Sequence, residues 1–264
     1  MPSLHWQGQQ NGIHYIVQEY IDGQNLEQEL KESGPFSEEK ILQVLEELLP
    51  LLARIHSVEV IHRDIKPENI IRRRNDRRLV LVDFGAVKVA TPTAMAKTGT
   101  KIGSAEYAAP EQTRGRAVFA SDLYGLGATC VHLLTGRSPW DLRDDLEGRW
   151  IWRELLPPGV RVSQRLGQVL DRLVSEPLKG RFQTAQEALT ALHPPASPPP
   201  EPGSQPPQQP SHDSPSQQPN AQQINSHHQR VTERTPEESL LELFKAWGIE
   251  IKPLGWREKQ GKRI

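Results

Sequence analysis

The stretch Ile61-His62-Arg63-Asp64-Ile65-Lys66-Pro67-Glu68-Asn69-Ile70 decides how this chain folds. A second short motif, Asp83-Phe84-Gly85, begins thirteen residues after that stretch ends, and Ala109-Pro110-Glu111 follows further along. An isolated Asp or Asn in a loop usually forms a turn. Three such motifs in a fixed order and at compatible spacing are far more specific than any one of them, and together they predict a single polar site.

The three motifs resemble, in order and spacing, the signatures of the protein kinase catalytic domain. The chain is similar to eukaryotic-like serine/threonine protein kinases of bacteria over about residues 13–193. The resemblance implies an α+β fold, in which a kinase-like C-terminal helical lobe follows a residual hairpin of the N-terminal lobe. It also implies a transferase that moves the γ-phosphate of ATP to Ser or Thr hydroxyls of a protein substrate, with Mg2+ as cofactor.

The resemblance assigns the catalytic chemistry to side chains of the first two motifs. Asp64 matches the base that accepts the proton of the substrate hydroxyl, and Lys66 matches the lysine that balances charge on the transferred phosphate. Asn69 and Asp83 match the two residues that hold magnesium, and their oxygen atoms suit a hard cation. Tyrosine kinases usually lack a lysine at the Lys66 position, so this residue favours Ser or Thr as the acceptor.

The same resemblance locates the ATP site. Residues 13–25 resemble the strand and hinge that hold adenine, with Gln18 at the gatekeeper position. By this alignment the nucleotide-binding groups are the backbones of Glu19 and Ile21, Asn25 at the ribose and Ile71 beneath the adenine ring.

Other positions match residues that support the kinase fold. Asp122 resembles the buried aspartate that anchors the catalytic loop to a central helix. Glu111 and Arg181 resemble the ion pair that joins the activation segment to the C-terminal helices. Asp122 is therefore expected to be buried, and Glu111 and Arg181 are expected to pair with each other.

The arginine of the first motif indicates a phosphorylation site. In kinases of this type, the residue that Arg63 matches commonly pairs with a phosphorylated threonine of the activation segment. We favour Thr98 or Thr100 as that threonine, and unmodified loop threonines are the alternative. Ser104 takes the place of a threonine that usually contacts the catalytic Asp, and it keeps the hydroxyl.

A complete kinase domain also has an upper lobe of five strands and one helix, which supplies a Gly-rich loop, a strand lysine and a helix glutamate. This sequence has 17 residues before Gln18, and its first lysine is Lys31. Its early glycines form no GxGxxG motif. Three explanations stay open: a misplaced start, a split kinase whose upper lobe comes from another chain, and a degenerate relic that acts as a pseudokinase-like interaction module. We expect little phosphate transfer by this chain alone.

Composition limits the classes of partner. The 32 Lys and Arg residues against 33 Asp and Glu give a net charge of -1, which argues against a protein that coats nucleic acid or an anionic membrane. Cys130 is the single cysteine, so we expect no internal disulfide and predict a reducing, cytoplasmic location. We also expect no transmembrane helix, since the sequence has no run of about 18 apolar residues. The first ten residues have neither a basic region nor an apolar run, so we expect no signal peptide.

Proline marks the expected end of the folded body. Eleven of the 23 prolines lie between Pro194 and Pro219, among Ser, Gln, His and Asn. Such a segment buries too little apolar surface to fold. We therefore predict a truncated kinase body at 1–193, a disordered linker at 194–234 and a short amphipathic helical tail at 235–264. The linker and tail could bind a partner protein, although a spacer is the simpler interpretation of the linker. The tail helix could instead fold back onto the body.

Local patterns predict two hairpins in the body. Asn11-Gly12 is a strong signal for a hairpin turn. The apolar runs near Ile70 and Leu79 predict a second hairpin. The arginines between Arg72 and Arg78 would then form a solvated hairpin tip, which fits the sequence better than a nucleic-acid site.

The remainder of the body is predicted to be mostly helical. Apolar residues at steps of three and four predict a helix that begins after Ser37 and bends at Pro50. Further helices are predicted over 119–135, 163–175 and 183–192.

Overall fold

The structure is a computed structural model that describes residues 2–10, 13–83, 88–89, 105–144 and 146–194. Several predictions concern residues outside these ranges: the Asn11-Gly12 turn, Phe84 and Gly85, Thr98, Thr100 and Ser104, and the linker and tail from residue 195 onward. These stay predictions.

Helices and small antiparallel sheets make up the described residues, in agreement with the predicted mixture of α and β structure. The strands are β1 (Leu4–Gln10), β2 (Ile13–Gln18), β3 (Gly23–Asn25), β4 (Val60–Ile61), β5 (Ile70–Arg73), β6 (Leu79–Leu81), β7 (Lys88–Val89), β8 (Arg143–Asp144) and β9 (Arg149–Trp150). The helices are α1 (Leu26–Ser33), α2 (Glu38–Ser57), α3 (Pro110–Thr113), α4 (Phe119–Thr135), α5 (Gln164–Leu173) and α6 (Ala185–Leu192). Short 3-10 turns occur at Pro67–Asn69 and Leu178–Gly180.

Both predicted hairpins are present. Strands β1 and β2 pair antiparallel, from Leu4 opposite Gln18 to Gln10 opposite Ile13. Strands β5 and β6 form the second hairpin, and β3 joins it to make a three-stranded antiparallel sheet in the order β3-β5-β6. The short pairs β4–β7 and β8–β9 complete the described sheet structure.

Helix α2 forms where the sequence pattern predicts it. The Ser37 hydroxyl accepts a bond from the Lys40 amide at 3.5 Å, and Glu38 and Glu39 favour the positive end of the helix dipole. Its apolar face is buried and consists of Ile41, Val44, Leu45, Leu48, Leu49, Leu52 and Ile55. The helix continues past the exposed Pro50 to Ser57, as one element.

Helix α4 is the centre of the core. Nearly all of its residues are buried, as expected of a helix that is apolar on every side. Gly136, at φ 67°, ends the helix in the left-handed conformation that glycine tolerates. Helix α5 packs closely against α4 at Gly127, where a Cβ atom would lie 2.7 Å from Cβ of Leu173.

Replacing Gly127 with alanine is expected to lower the free energy of unfolding by about 1–3 kcal/mol, because the added methyl group overpacks the contact between α4 and α5. Urea unfolding monitored by circular dichroism measures the change. Gly125→Ala is the matched control, since it lies in the same helix and its Cβ atom would come no closer than 3.3 Å to a neighbour. A G127A protein that is as stable as the unmodified chain would contradict this packing argument.

The prediction that the arginines from Arg72 to Arg78 form a solvated hairpin tip is wrong for Arg72. Arg74, Arg77 and Arg78 are exposed. Arg72, by contrast, is 4% exposed and points under the three-stranded sheet. Successive residues of a strand point to opposite faces, so one arginine of a run can be buried while its neighbours face water.

None of the helices in the described part of the chain is long and apolar enough to cross a membrane.

Candidate active site

The loop between β4 and β5 brings three predicted catalytic side chains together. Asn69 donates from Nδ2 to the Asp64 carboxylate at 2.8 Å and to the Asp64 backbone oxygen at 2.8 Å. Lys66 places its ammonium nitrogen 3.2 Å from the same Asp64 carboxylate. Asn69 is buried, whereas the Lys66 and Asp64 side chains keep 20% and 12% of their surface exposed. The predicted grouping of these three residues is therefore observed.

Asp83 is placed beside this group by the β5–β6 hairpin. Ile70 pairs with Leu81, and one step beyond that pair the Val82 amide donates to the Asn69 backbone oxygen at 2.9 Å. Asp83 follows directly and is exposed. The two predicted magnesium ligands, Asn69 and Asp83, thus stand at neighbouring ends of one antiparallel ladder.

Bonds from helix α4 hold the β4–β5 loop, which has a strained backbone at Arg63. Arg63 has φ 70° and Asp83 has φ 63°, a region that few residues other than glycine adopt. The buried Asp122 carboxylate of α4 accepts from the His62 amide at 2.9 Å and from the Arg63 amide at 2.8 Å. Asp122 therefore has the anchoring contacts that its resemblance predicts.

Two further anchors were not predicted from the sequence. His56, at the end of α2, places Nε2 2.8 Å from the Asp122 carboxylate. Gln112 donates from its side-chain amide to the Arg63 backbone oxygen at 2.7 Å. The bonded residues lie 66 and 49 positions apart along the chain, so no local sequence pattern predicts these bonds.

The predicted ion pair of Glu111 and Arg181 is present, with a fully buried arginine and a glutamate side chain that is 12% exposed. Arg181 Nη1 donates to Glu111 Oε1 at 2.7 Å, and the Arg181 side chain is 0% exposed. Its other donors bond the backbone oxygens of Ser175, Ala120 and Glu176. The guanidinium thus links the start of α3 to the turn before α6.

The candidate nucleotide-binding residues lie in the segment between β2 and β3 and on the paired strands β3 and β5. Glu19 and Ile21 follow β2, and the Glu19 amide donates to the Ser3 oxygen at 2.7 Å. Asn25 pairs with Ile71 across β3 and β5. The Asn25 side chain also accepts from the Gln28 amide at 2.8 Å and thereby caps α1.

Two buried histidines, His62 and His132, have pKa values that favour their neutral forms. Burial lowers the pKa of His62, although Asp122 and Asp64 act in the opposite direction. Burial also lowers the pKa of His132, against the opposing effect of Glu27. His132 Nδ1 lies 2.6 Å from the Tyr107 hydroxyl, just ahead of α3.

These lowered pKa values predict that acid destabilises the protein. Unfolded histidines take up protons as the pH falls through about 6.5, whereas His62 and His132 do so only at lower pH in the folded state. The unfolded state then binds more protons, so the free energy of unfolding should fall between about pH 7.5 and about pH 5.5. Urea titrations at both values measure it, and His132→Gln should show a smaller loss. Constant or rising stability toward acid pH would contradict the prediction.

The donor set suits a magnesium ion that is bound together with phosphates. The Asn69 amide nitrogen makes both bonds to Asp64, which leaves the amide oxygen as a ligand atom, and the Asp83 carboxylate is exposed nearby. Magnesium prefers oxygen ligands and is usually held by one or two carboxylates and the phosphates of a substrate. The Lys66 ammonium adds one more positive charge beside Asp64, in addition to the two charges that a magnesium ion would bring.

Comparison with known proteins identifies the family. The chain matches the family model described as Protein kinase domain over residues 6–191. It is 43% identical over 190 residues to Serine/threonine-protein kinase B of Synechocystis sp., which covers 69% of this chain and 32% of that protein. It is 44% identical over 189 residues to Serine/threonine-protein kinase F of Synechocystis sp., covering 70% and 37% respectively. Serine/threonine-protein kinase PknA of Nostoc sp. is 40% identical over 198 residues, covering 73% and 35%.

The chain therefore spans about a third of the length of these relatives. The match to the family model covers most of the chain and includes the loop of Asp64 and Asn69 as well as Asp83. The prediction drawn from the three motifs is confirmed: the chain belongs to the protein kinase family and carries a eukaryotic-like serine/threonine kinase domain.

Proposed function

We propose that this chain is a serine/threonine protein kinase, which transfers the γ-phosphate of ATP to Ser or Thr hydroxyls of a protein substrate. The observation that carries the proposal is the cluster of Asp64, Lys66 and Asn69. The Asp64 carboxylate lies 2.8 Å from Asn69 Nδ2 and 3.2 Å from Lys66 Nζ. The printed names of the relatives, all serine/threonine-protein kinases, support the same reaction.

Each side chain of the cluster has a role in this proposal. The Asp64 carboxylate accepts the proton of the substrate hydroxyl while the hydroxyl oxygen bonds the γ-phosphorus and the bond to ADP breaks. The Lys66 ammonium offsets negative charge on the phosphate that is being transferred. Asn69 orients the Asp64 carboxylate through the bond from Nδ2 at 2.8 Å.

Magnesium and ATP are the proposed cofactor and phosphate donor. Asn69 and Asp83 would hold the ion, which supplies positive charge against the phosphates. On the nucleotide side, the backbones of Glu19 and Ile21 would bond the base, Asn25 would reach the ribose and Ile71 would lie under the adenine. The antiparallel pairing of Asn25 with Ile71 supports this part of the proposal. It places the residue that would contact the ribose next to the residue that would lie under the adenine.

The wider organisation of the chain is part of the proposal. We divide it into a kinase body at 1–193, a linker at 194–234 and a tail at 235–264 whose amphipathic helix docks on a partner protein or folds back onto the body. A cytoplasmic location follows from the composition.

An alternative is a non-catalytic interaction module or one subunit of a split kinase. The feature that favours it is the absence of a GxGxxG motif and of any lysine before Lys31 in the given sequence. Tested by themselves, these 264 residues are expected to transfer phosphate slowly, since a Gly-rich loop and a strand lysine normally clamp the phosphates.

The test is incubation of the purified chain with γ-labelled ATP, Mg2+ and a generic basic protein, followed by analysis of the labelled amino acids. We expect slow, magnesium-dependent labelling of Ser and Thr. Label on Tyr would contradict the proposed acceptor, and the absence of label would favour the non-catalytic alternative. A fast rate would contradict the expectation of weak activity.

A further inference from the structure

An ion pair between Arg72 and Glu29 is buried under the three-stranded sheet. Arg72 Nε donates to Glu29 Oε2 at 2.8 Å, and the two side chains are 4% and 7% exposed. The pair joins strand β5 to helix α1. Two buried charges are costly unless they are paired and hydrogen-bonded, so this contact favours one specific placement of the strand on the helix.

The pair continues into helix α2. Lys40 Nζ donates to Glu29 Oε1 at 2.8 Å, and Arg72 Nη1 donates to Gln43 Oε1 at 2.9 Å. Burial alone would raise the pKa of Glu29, but the bonds from Lys40 and Arg72 outweigh it and hold the pKa below its ordinary value. Glu29 is therefore ionised at neutral pH and can pair with both cations.

Gln43 extends the network to the far strand of the sheet. Its side-chain amide donates to Glu47 Oε1 at 2.8 Å, and Glu47 Oε2 accepts from the Leu79 amide at 2.7 Å. Polar contacts thus join α1, α2, β5 and β6 on one side of the sheet.

Ile71 lies on the opposite side of the same strand. Burial alternates along β5, where Ile70 and Arg72 are buried and Ile71 and Arg73 are half-buried. The neighbouring strand β3 is in tight contact, because a Cβ atom on Gly23 would lie 2.3 Å from the Arg72 carbonyl oxygen. A shift of β5 would therefore move both Ile71 and the strand that ends at Asn25.

We infer that Arg72 and Glu29 are positioning residues for adenine, which hold β5 so that Ile71 forms the floor of the nucleotide site. The inference rests on the proposed function. The Arg72 guanidinium is planar and has donors in fixed directions, so its bonds to Glu29 and Gln43 define both the depth and the orientation of the strand. An apolar side chain at the same place would fill space without fixing either.

The test is isothermal titration of the full chain with Mg·ATP and, separately, with Mg·tripolyphosphate, which has no adenine. We expect Arg72→Met to weaken the binding of Mg·ATP about tenfold and to leave the binding of Mg·tripolyphosphate unchanged, because the two bonds from Asn69 to Asp64 hold the metal-binding end of β5 separately from the pair. Arg72→Lys keeps a charge next to Glu29 and should recover part of the loss. Arg78→Met removes an exposed arginine of the same hairpin and should change neither dissociation constant.

Equal weakening of both ligands would indicate a general loss of structure and would overturn the positioning role, as would unchanged binding of Mg·ATP by R72M. If circular dichroism shows that R72M does not fold, Glu29→Gln takes its place, because it keeps the size and an acceptor oxygen. It should weaken Mg·ATP about threefold and leave Mg·tripolyphosphate unaffected. A failure of the proposed function looks different, because the unmodified chain would then bind neither ligand, and both proposals would fall.

Discussion

Replacing Asp64 with asparagine is expected to lower the rate of phosphate transfer to a basic protein by about 10²–10⁴-fold. The amide cannot accept the proton of the substrate hydroxyl, whereas the bond from Asn69 Nδ2 to the backbone oxygen of residue 64, at 2.8 Å, does not involve the altered side chain. The loop should therefore keep its shape while it loses the base. Initial rates of label incorporation from γ-labelled ATP measure the effect.

Asp76→Asn is the matched control for this substitution. Asp76 is an exposed residue of the turn between β5 and β6, so the same chemical change there should leave the rate as it is. The folded state of both variants is compared by thermal unfolding. An Asp64→Asn protein that transfers phosphate at the rate of the unmodified chain would mean that Asp64 is not the base.

Replacing Arg181 with methionine is expected to lower the free energy of unfolding by about 3–5 kcal/mol. The substitution leaves the Glu111 carboxylate without its cation, and it also removes donors to the backbone oxygens of Ser175 and Ala120. Since the Arg181 side chain is 0% exposed, water cannot take over these bonds. Urea unfolding at neutral pH measures the loss.

Arg153→Met provides the comparison for a surface ion pair. Arg153 contacts Asp171 at 2.7 Å, but the two side chains are 44% and 49% exposed, so the loss should be no more than about 1 kcal/mol. Similar losses for the two variants would contradict the claim that burial makes the Arg181 pair important.

Much of the fold could be predicted from the sequence because its signals are local. The apolar face of α2 repeats at helical spacing behind the Ser37 cap, and the structure has a helix from Glu38 to Ser57. The apolar runs on either side of the arginine-rich segment predicted the β5–β6 hairpin, which the structure also has. In each case the residues that determine the element are neighbours along the chain.

The site was predictable for a different reason. Asp64, Lys66 and Asn69 lie within six residues of one another, so a short loop brings them together, and the hairpin that begins at Ile70 returns the chain to Asp83. The spacing of the motifs along the chain is therefore enough to predict that these side chains lie close together.

What the sequence did not predict depends on distant partners. Arg72 was predicted to be part of a solvated tip, because its partner Glu29 lies 43 positions earlier in the chain. In addition, three consecutive arginines at 72–74 hide the alternation of buried and exposed side chains along the strand. His56 reaches Asp122 across 66 positions. Contacts of this kind are set by the packing of helices on strands, which local patterns do not determine.

The effect of magnesium on ATP binding tests the proposed metal site of Asn69 and Asp83 most directly. It is measured by isothermal titration of the unmodified chain and of Asp83→Asn, with Mg2+ and with a chelator. If Asn69 and Asp83 hold the metal, Mg2+ strengthens ATP binding in the unmodified chain, and most of that gain is lost in D83N. A D83N protein that keeps the full gain, or an unmodified chain that shows none, would contradict the assignment of this site.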